Sequence, residues 1–243
     1  MNALDFTGKR ALVVGGSSGI GNGIAQAYRA HGAEVHVWGT RDDLASYKAE
    51  EGSDLTGLTY TKVDVADFAA IEAAPDFDTL DILVLCQGMV LYKRQEFAIA
   101  GFAKVVDVNL NSLMACAAKY HPALAKAKGT LITVSSTAAF HSTKGNPAYN
   151  ASKTGAMGLT RTLGEAWAPD GIRVNGIAPG LVATKMTKVT TENPKRLEAS
   201  LQGIPLGRLG TPADMAGVAL FLASPLSAYV VGQTIPVDGG LIL

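Results

Sequence analysis

The chain has 243 residues, of which 48% are hydrophobic and 17% charged, with 21 basic residues against 21 acidic ones. That composition excludes a disordered chain, and a net charge of zero gives no electrostatic reason to expect nucleic acid or an anionic membrane surface as a partner. The length suits one or two domains, and with no linker, repeat or low-complexity stretch a single domain is expected.

Two cysteines, Cys86 and Cys116, make no disulfide framework. Neither they nor His31, His36, His121 and His141 have the spacing of a zinc site, so no metal is expected. The first ten residues lack the apolar stretch of a signal peptide, and no apolar run approaches the ~18 residues of a membrane helix. A soluble cytoplasmic protein is the expectation.

In chain order, strand-like and helix-like segments alternate. Arg10 to Val14 reads as a strand, and the glycine turn from Gly15 to Gly21 leads into a helix running to about Ala30, ended by His31 and Gly32. A second strand is expected at Glu34 to Trp38, a polar helix at Asp42 to Glu50, and a third strand at Leu58 to Val63. Leu80 to Leu85 reads as a buried fourth strand, continuous in apolar residues as parallel sheets require. A long helix follows at Gly101 to Lys126, then a strand at Thr130 to Val134 and a helix at Pro147 to about Trp167. Strands at Arg173 to Ile177 and Thr234 to Val237 flank a helix at Asp214 to Ala223. The pattern predicts an α/β fold with a Rossmann-type, doubly wound, seven-stranded parallel sheet flanked by helices. Residues 181–207 break the rhythm and are expected to form a substrate lid.

Two motifs carry chemistry. Gly15, Gly19 and Gly21 sit where a strand opens into a helix. Such glycines permit a tight turn and close backbone approach, and the helix N-terminus offers N–H groups to a pyrophosphate. No Gly-Lys-Ser/Thr follows, so it is not a nucleoside-triphosphate loop. The second motif is Tyr149 and Lys153, at i and i+4 on one helical face. A phenol of pKa ~10 beside an ammonium of ~10.4 is expected to titrate lower and to serve as a proton shuttle for an alcohol or ketone.

Together these motifs resemble the short-chain dehydrogenase/reductase family, and the resemblance extends over nearly the whole chain. Asp64-Val65 resembles the family's adenine-contacting element, Val108-Asn109-Leu110 its asparagine motif, and Val237-Asp238-Gly239-Gly240 its C-terminal signature. Ser136 lies thirteen residues before Tyr149, the family's usual spacing. Asn175 and the run Pro179 to Thr184 resemble the segment that grips the nicotinamide carboxamide. The resemblance implies a tetrad: Tyr149 as acid/base, Ser136 hydrogen-bonding the substrate oxygen, Lys153 lowering the tyrosine pKa and holding the nicotinamide ribose, and Asn109 positioning a water through its carbonyl. It implies cofactor contacts at Gly15, Ser17, Ser18, Gly19, Ile20, Gly39, Thr40, Arg41, Asp64, Val65, Gln87, Gly88, Tyr149, Lys153, Pro179, Gly180, Val182 and Thr184. Two departures stand out: Val14 replaces a common threonine, and Leu85-Cys86-Gln87-Gly88 replaces Asn-Asn-Ala-Gly.

The cofactor is NADP or NAD. The position of an NAD-selecting carboxylate falls on Gly39, which removes the obstacle to a 2′-phosphate, and Thr40 and Arg41 follow, so NADP is slightly favoured. Asp42 and Asp43 sit beside Arg41 as potential neutralisers. The substrate is expected to be a small alcohol or ketone touching Ser136, His141, Tyr149 and Met186, in a pocket that also takes in Gln87, Met89, Tyr92, Asn146 and Leu181. A 3-oxoacyl-carrier-protein reductase is the alternative, with Lys185, Lys188, Lys195 and Arg196 as a basic patch. A silent cofactor-binding regulator and a transient-redox isomerase are the other readings; intact Ser136, Tyr149 and Lys153 weigh against the former. Resemblance further implies a homotetramer or homodimer built on the two long helices and the apolar tail Leu241 to Leu243.

Overall fold

The computed structural model describes residues 2–47 and 52–243. Seven strands form one sheet: β1 (Arg10–Val14), β2 (Glu34–Gly39), β3 (Thr59–Lys62), β4 (Ile82–Leu85), β5 (Thr130–Val134), β6 (Arg173–Pro179) and β7 (Thr234–Val237). Their spatial order is β3-β2-β1-β4-β5-β6-β7, and every pairing is parallel. The order reverses between β1 and β4, and a crevice at the carboxyl ends of the strands opens at such a reversal.

Both faces of the sheet are covered, and β4 at its centre is apolar throughout. Alternate residues supply two cores: Leu12, Val14, Leu83 and Leu85 enter one, and Ala11, Val13, Ile82 and Val84 the other. Helices α1 (Gly19–Ala30) and α8 (Pro212–Ala223) cover the second core, where the Tyr28 hydroxyl donates to the Ala219 carbonyl at 2.8 Å. The opposite face carries α2 (Phe68–Ala73), α4 (Ser112–Ala127) and α5 (Pro147–Trp167).

The differences from expectation are local. Of the polar helix expected at Asp42 to Glu50, only a 3₁₀ turn at Ala45–Tyr47 forms among the described residues, and positions 48–50 lie outside them. Asp43 accepts from both the Ser46 amide and hydroxyl at 2.8 Å, a local bond that competes with helix. Helix α2, too short to show a periodicity, is capped by Asp67, which accepts from the Ala69 amide. The expected long helix begins earlier, as α3 (Ile99–Val106), and passes through a π turn at Asp107–Asn111 into α4. The whole run, Ile99–Ala127, is long and apolar enough to cross a membrane by length and composition, contrary to expectation. Its Leu113, Cys116, Tyr120 and Leu124 are nevertheless packed in the sheet core. Residues 181–207, expected to form a lid, are not irregular. They hold a 3₁₀ turn at Lys185–Thr187, α6 (Lys188–Thr191) and α7 (Pro194–Gln202).

Candidate active site

A cleft of about 780 Å³ opens at the carboxyl ends of the strands. Ser18, Gly19, Ile20 and Gly21 line it at the start of α1, with Gly88 after β4, Pro179 at the end of β6, and Gly180, Val182 and Thr184 beyond it. The turn is shaped by the lack of side chains. A Cβ on Gly21 would lie 2.2 Å from the Gly15 carbonyl oxygen, and one on Gly15, whose φ is +75°, would meet the Gln87 amide nitrogen at 2.9 Å. The loops after β1 and β4 therefore touch through backbone, leaving the α1 N-terminus facing the cleft. Ser18 caps α1 without a side-chain hydrogen bond, and the first turn carries no acidic residue. A diphosphate fits that end of the helix by charge and by donor supply.

Ser136, Tyr149 and Lys153 line the same cleft. Tyr149 sits in the first turn of α5, which starts at Pro147, a favoured first residue of a helix. Lys153, one turn on and 4% exposed, donates from Nζ to the Val134 carbonyl at 2.9 Å and lies 5.7 Å from the centre of the Tyr149 ring. The Ser136 hydroxyl accepts from the Ala138 amide at 3.1 Å, which leaves its own proton to donate. Asn109 is fully buried within the π turn. Its side chain accepts from the Met89 amide at 2.7 Å and donates to the Met89 carbonyl at 2.9 Å and to Ser152 Oγ at 3.2 Å. Ser152 in turn donates to the Tyr149 carbonyl at 2.9 Å. The asparagine thus braces the turn that carries the phenol.

The electrostatics correct one expectation. Burial pushes the Tyr149 phenol above its ordinary value, and the hydrogen bond from Ser136 works against that rise. Burial also depresses the Lys153 ammonium, to about 8, and its Nζ donates to a backbone carbonyl. Cys86, on the cleft floor in place of the family's asparagine, is an apolar thiol pushed by burial to about 12.

Several expected contacts fall elsewhere. Gln87 turns away from the cleft and is 5% exposed; its amide donates to Ser112 Oγ at 3.0 Å, and Oε1 has no partner. His141 is exposed on a loop that Asn150 folds against α5 by donating to the Ala138 and His141 carbonyls. Asn175 is buried at the far side of β6, where it donates to the Val230 carbonyl and accepts from the Gln233 amide. Met186 does line the cleft, and its carbonyl accepts from the Tyr92 hydroxyl at 2.8 Å.

Nor do the residues at the ends of β2 and β3 line the cavity. Val65 is in the core, and Asp64 accepts from the Ala66 amide. Ser17 is 6% exposed and hydrogen-bonds Tyr47. A Cβ on Gly39 would lie 2.5 Å from Tyr47 Oη and 2.6 Å from Ser17 Oγ, so a carboxylate has no room there. Beyond the exposed Thr40, Arg41 stacks on the Tyr47 ring at 4.5 Å and donates to the Ser46 carbonyl. The two acidic neighbours are engaged elsewhere, Asp42 with Lys62 and Asp43 with Ser46. The sequence alone pointed to neither Tyr47 nor the buried Glu96, whose carboxylate accepts from the Tyr149 amide at 2.9 Å. Neither belongs to a spaced motif.

Comparison with known proteins fits this geometry. Residues 14–242 match the family profile described as enoyl-(acyl carrier protein) reductase. The chain is 36% identical to the 3-oxoacyl-[acyl-carrier-protein] reductase FabG of Chlamydia muridarum, covering 99% of this chain and 100% of that one. It is 38% identical to the 2-dehydro-3-deoxy-D-gluconate 5-dehydrogenase of Bacillus subtilis, covering 98% and 96%. Among solved structures, a Pseudomonas aeruginosa RhlG/NADP active-site complex superposes with a TM-score of 0.88 at 29% identity, covering 100% of both chains. An Agrobacterium tumefaciens protein with bound NADP gives 0.89 at 34% identity, covering 100% and 99%. The chain belongs to the short-chain dehydrogenase/reductase family of NAD(P)-dependent oxidoreductases acting on CH–OH donors.

Proposed function

We propose that the chain interconverts a ketone and a secondary alcohol with Tyr149 as the acid/base. The observation that carries this reading is that Tyr149, Ser136 and Lys153 line the same cleft as the glycine turn. When bound, the nicotinamide supplies or accepts the hydride. In reduction, the Ser136 hydroxyl donates to the substrate carbonyl oxygen, and the Tyr149 phenol gives its proton to that oxygen as negative charge gathers on it. A phenol held protonated by burial suits this direction. Lys153, anchored on Val134, is placed to hold the nicotinamide ribose hydroxyls. Asn109 sits in a π turn, a departure from α geometry common at functional sites, and fixes the Tyr149 turn through Ser152.

NADP is the proposed cofactor. The space that an NAD-selecting carboxylate needs at position 39 is filled by Tyr47 and Ser17, while Arg41 stands beside it. A homotetramer or homodimer is proposed from exposed apolar residues on and beside α3 and α4, including Ile99 at 83% and Met114 at 42%.

A second reading concerns the substrate. Lys185 and Lys188 line the cleft together with Glu192, with which Lys188 pairs at 3.8 Å, and the B. subtilis relative is named for a sugar acid, so a charged ketone is the second candidate. Lys195 and Arg196 are exposed on α7 and outside the cleft lining, so a carrier-protein patch would have to extend onto the lid surface. Turnover of apolar ketones, keto sugar acids and 3-oxoacyl thioesters, each with NADPH and NADH, tests the proposal. We expect ketone reduction with a lower KM for NADPH. Absence of cofactor oxidation with every ketone would refute the enzyme reading, and a strong NADH preference the cofactor reading.

A further inference from the structure

Glu96 is the one carboxylate among the described residues reported as buried, at 1% exposure, and the tetrad chemistry does not use it. No lysine, arginine or histidine pairs with it among the described residues. Instead three N–H donors converge on its two oxygens: Oε2 accepts from the Tyr149 amide at 2.9 Å, and Oε1 accepts from the Leu91 amide at 3.0 Å and from Asn146 Nδ2 at 3.2 Å. A buried carboxylate is costly unless its oxygens are satisfied, so displacing any of these donors is expensive.

The surrounding backbone is strained to deliver it. Lys93 and Arg94, just upstream, both adopt left-handed conformations, with φ of 56° and 60°. Non-glycine residues rarely adopt that region, and such strain gathers at functional sites.

What Glu96 ties together gives its role. One oxygen holds the backbone of the proposed acid/base, in the first turn of a 21-residue helix whose positive end favours an anion. The other oxygen holds Leu91, the neighbour of Tyr92, whose hydroxyl donates to the Met186 carbonyl on the lid. We infer that Glu96 is a positioning residue for the reaction, its carboxylate setting the Tyr149 turn and the lid-contacting loop in one fixed relation. Ser152 and Asn109 hold the carbonyl side of Tyr149, and Glu96 holds the N–H side. This inference rests on Tyr149 being the acid/base.

The test compares wild type, Glu96→Gln, Asn146→Ala and Tyr149→Phe, with NADPH titration counting folded sites. Glu96→Gln keeps the volume but turns an NH₂ group toward one of the backbone N–H donors. The expected result is a kcat per NADPH-binding site at least ten-fold lower and a higher ketone KM, with NADPH affinity within two-fold of wild type. Asn146→Ala removes one of the three donors and the Nδ2 bond to the Leu91 carbonyl, so its kcat per site should fall in the same direction as that of Glu96→Gln but by less. A purely structural Glu96 would lower the number of binding sites and leave kcat per site within two-fold, and that outcome overturns the inference. Should Glu96→Gln not fold, Glu96→Asp replaces it. Its shorter carboxylate cannot span both sets of donors, and the same per-site loss is expected. Tyr149→Phe separates the two claims. If it keeps full turnover the acid/base reading fails, whereas a dead Tyr149→Phe beside an unaffected Glu96→Gln removes only the positioning role.

Discussion

Lys153 combines two properties that a surface lysine lacks: complete burial and a pKa depressed to about 8. Its folded value lies below its unfolded value of 10.5, so between these pH values the unfolded chain binds the extra proton, and stability rises with pH across that window. Below pH 8 both states are protonated and the burial penalty is present in full, of order 3 kcal/mol. Urea unfolding of wild type from pH 7 to 9.5 should therefore show a rise that Lys153→Met lacks; parallel curves would show that the buried ammonium is not the source. Residues of this kind were legible in the sequence because Tyr149 and Lys153 are linked by local helix geometry. Ser136 came with them through its spacing. Gln87 and His141 were misplaced because their directions depend on distant partners, Ser112 in one case and Asn150 in the other. Glu96 was invisible for the same reason: its three donors come from residues 91, 146 and 149.

Elements were foreseen where periodicity and capping agree. Helix α5 has the start expected of it, with proline at its first position, and α8 begins with Thr211 and Asp214 in a reciprocal capping box. Arg208 adds a bidentate pair with Asp214 at 2.8 Å, and this pair, with the Thr211 bonds, holds the carboxyl well below its ordinary range. The folded value being the lower one, this contribution is present above about pH 4 and fades as pH falls. Thr211→Ala should lower stability by about 1 kcal/mol, read as a shifted urea midpoint at unchanged slope. An unchanged midpoint would mean that α8 is held by its packing on α1 alone. The segment after β2 and the helices within residues 181–207 were harder to foresee. Both are set by side-chain bonds to backbone, such as Asp43 with Ser46 and Thr187 with the Val182 carbonyl, and leave no apolar period.

At the scale of the molecule, the alternation of strands with helices was enough to give the sheet, because a parallel strand covered on both faces is mostly apolar. The chain order of the strands places the reversal between β1 and β4, and both chemical motifs then converge on one crevice. The sequence pointed to the two long helices and the apolar tail as the surfaces of the proposed assembly. The exposed Ile99, Phe97 and Met114 lie along or beside α3 and α4, and Leu243 is fully exposed at the tail. Sedimentation should give the mass of two or four chains, and Met114→Glu should shift it toward one. A monomeric wild type would contradict the proposed assembly.

The most direct measurement is steady-state ketone reduction by Tyr149→Phe, paired with NADPH titration of the same sample. Removing one hydroxyl leaves the ring, the α5 turn and the glycine turn in place. Turnover should fall by about 10²–10⁴-fold, with NADPH affinity within two-fold of wild type. Wild-type turnover in a variant that binds NADPH normally would contradict the assignment of Tyr149 as the acid/base.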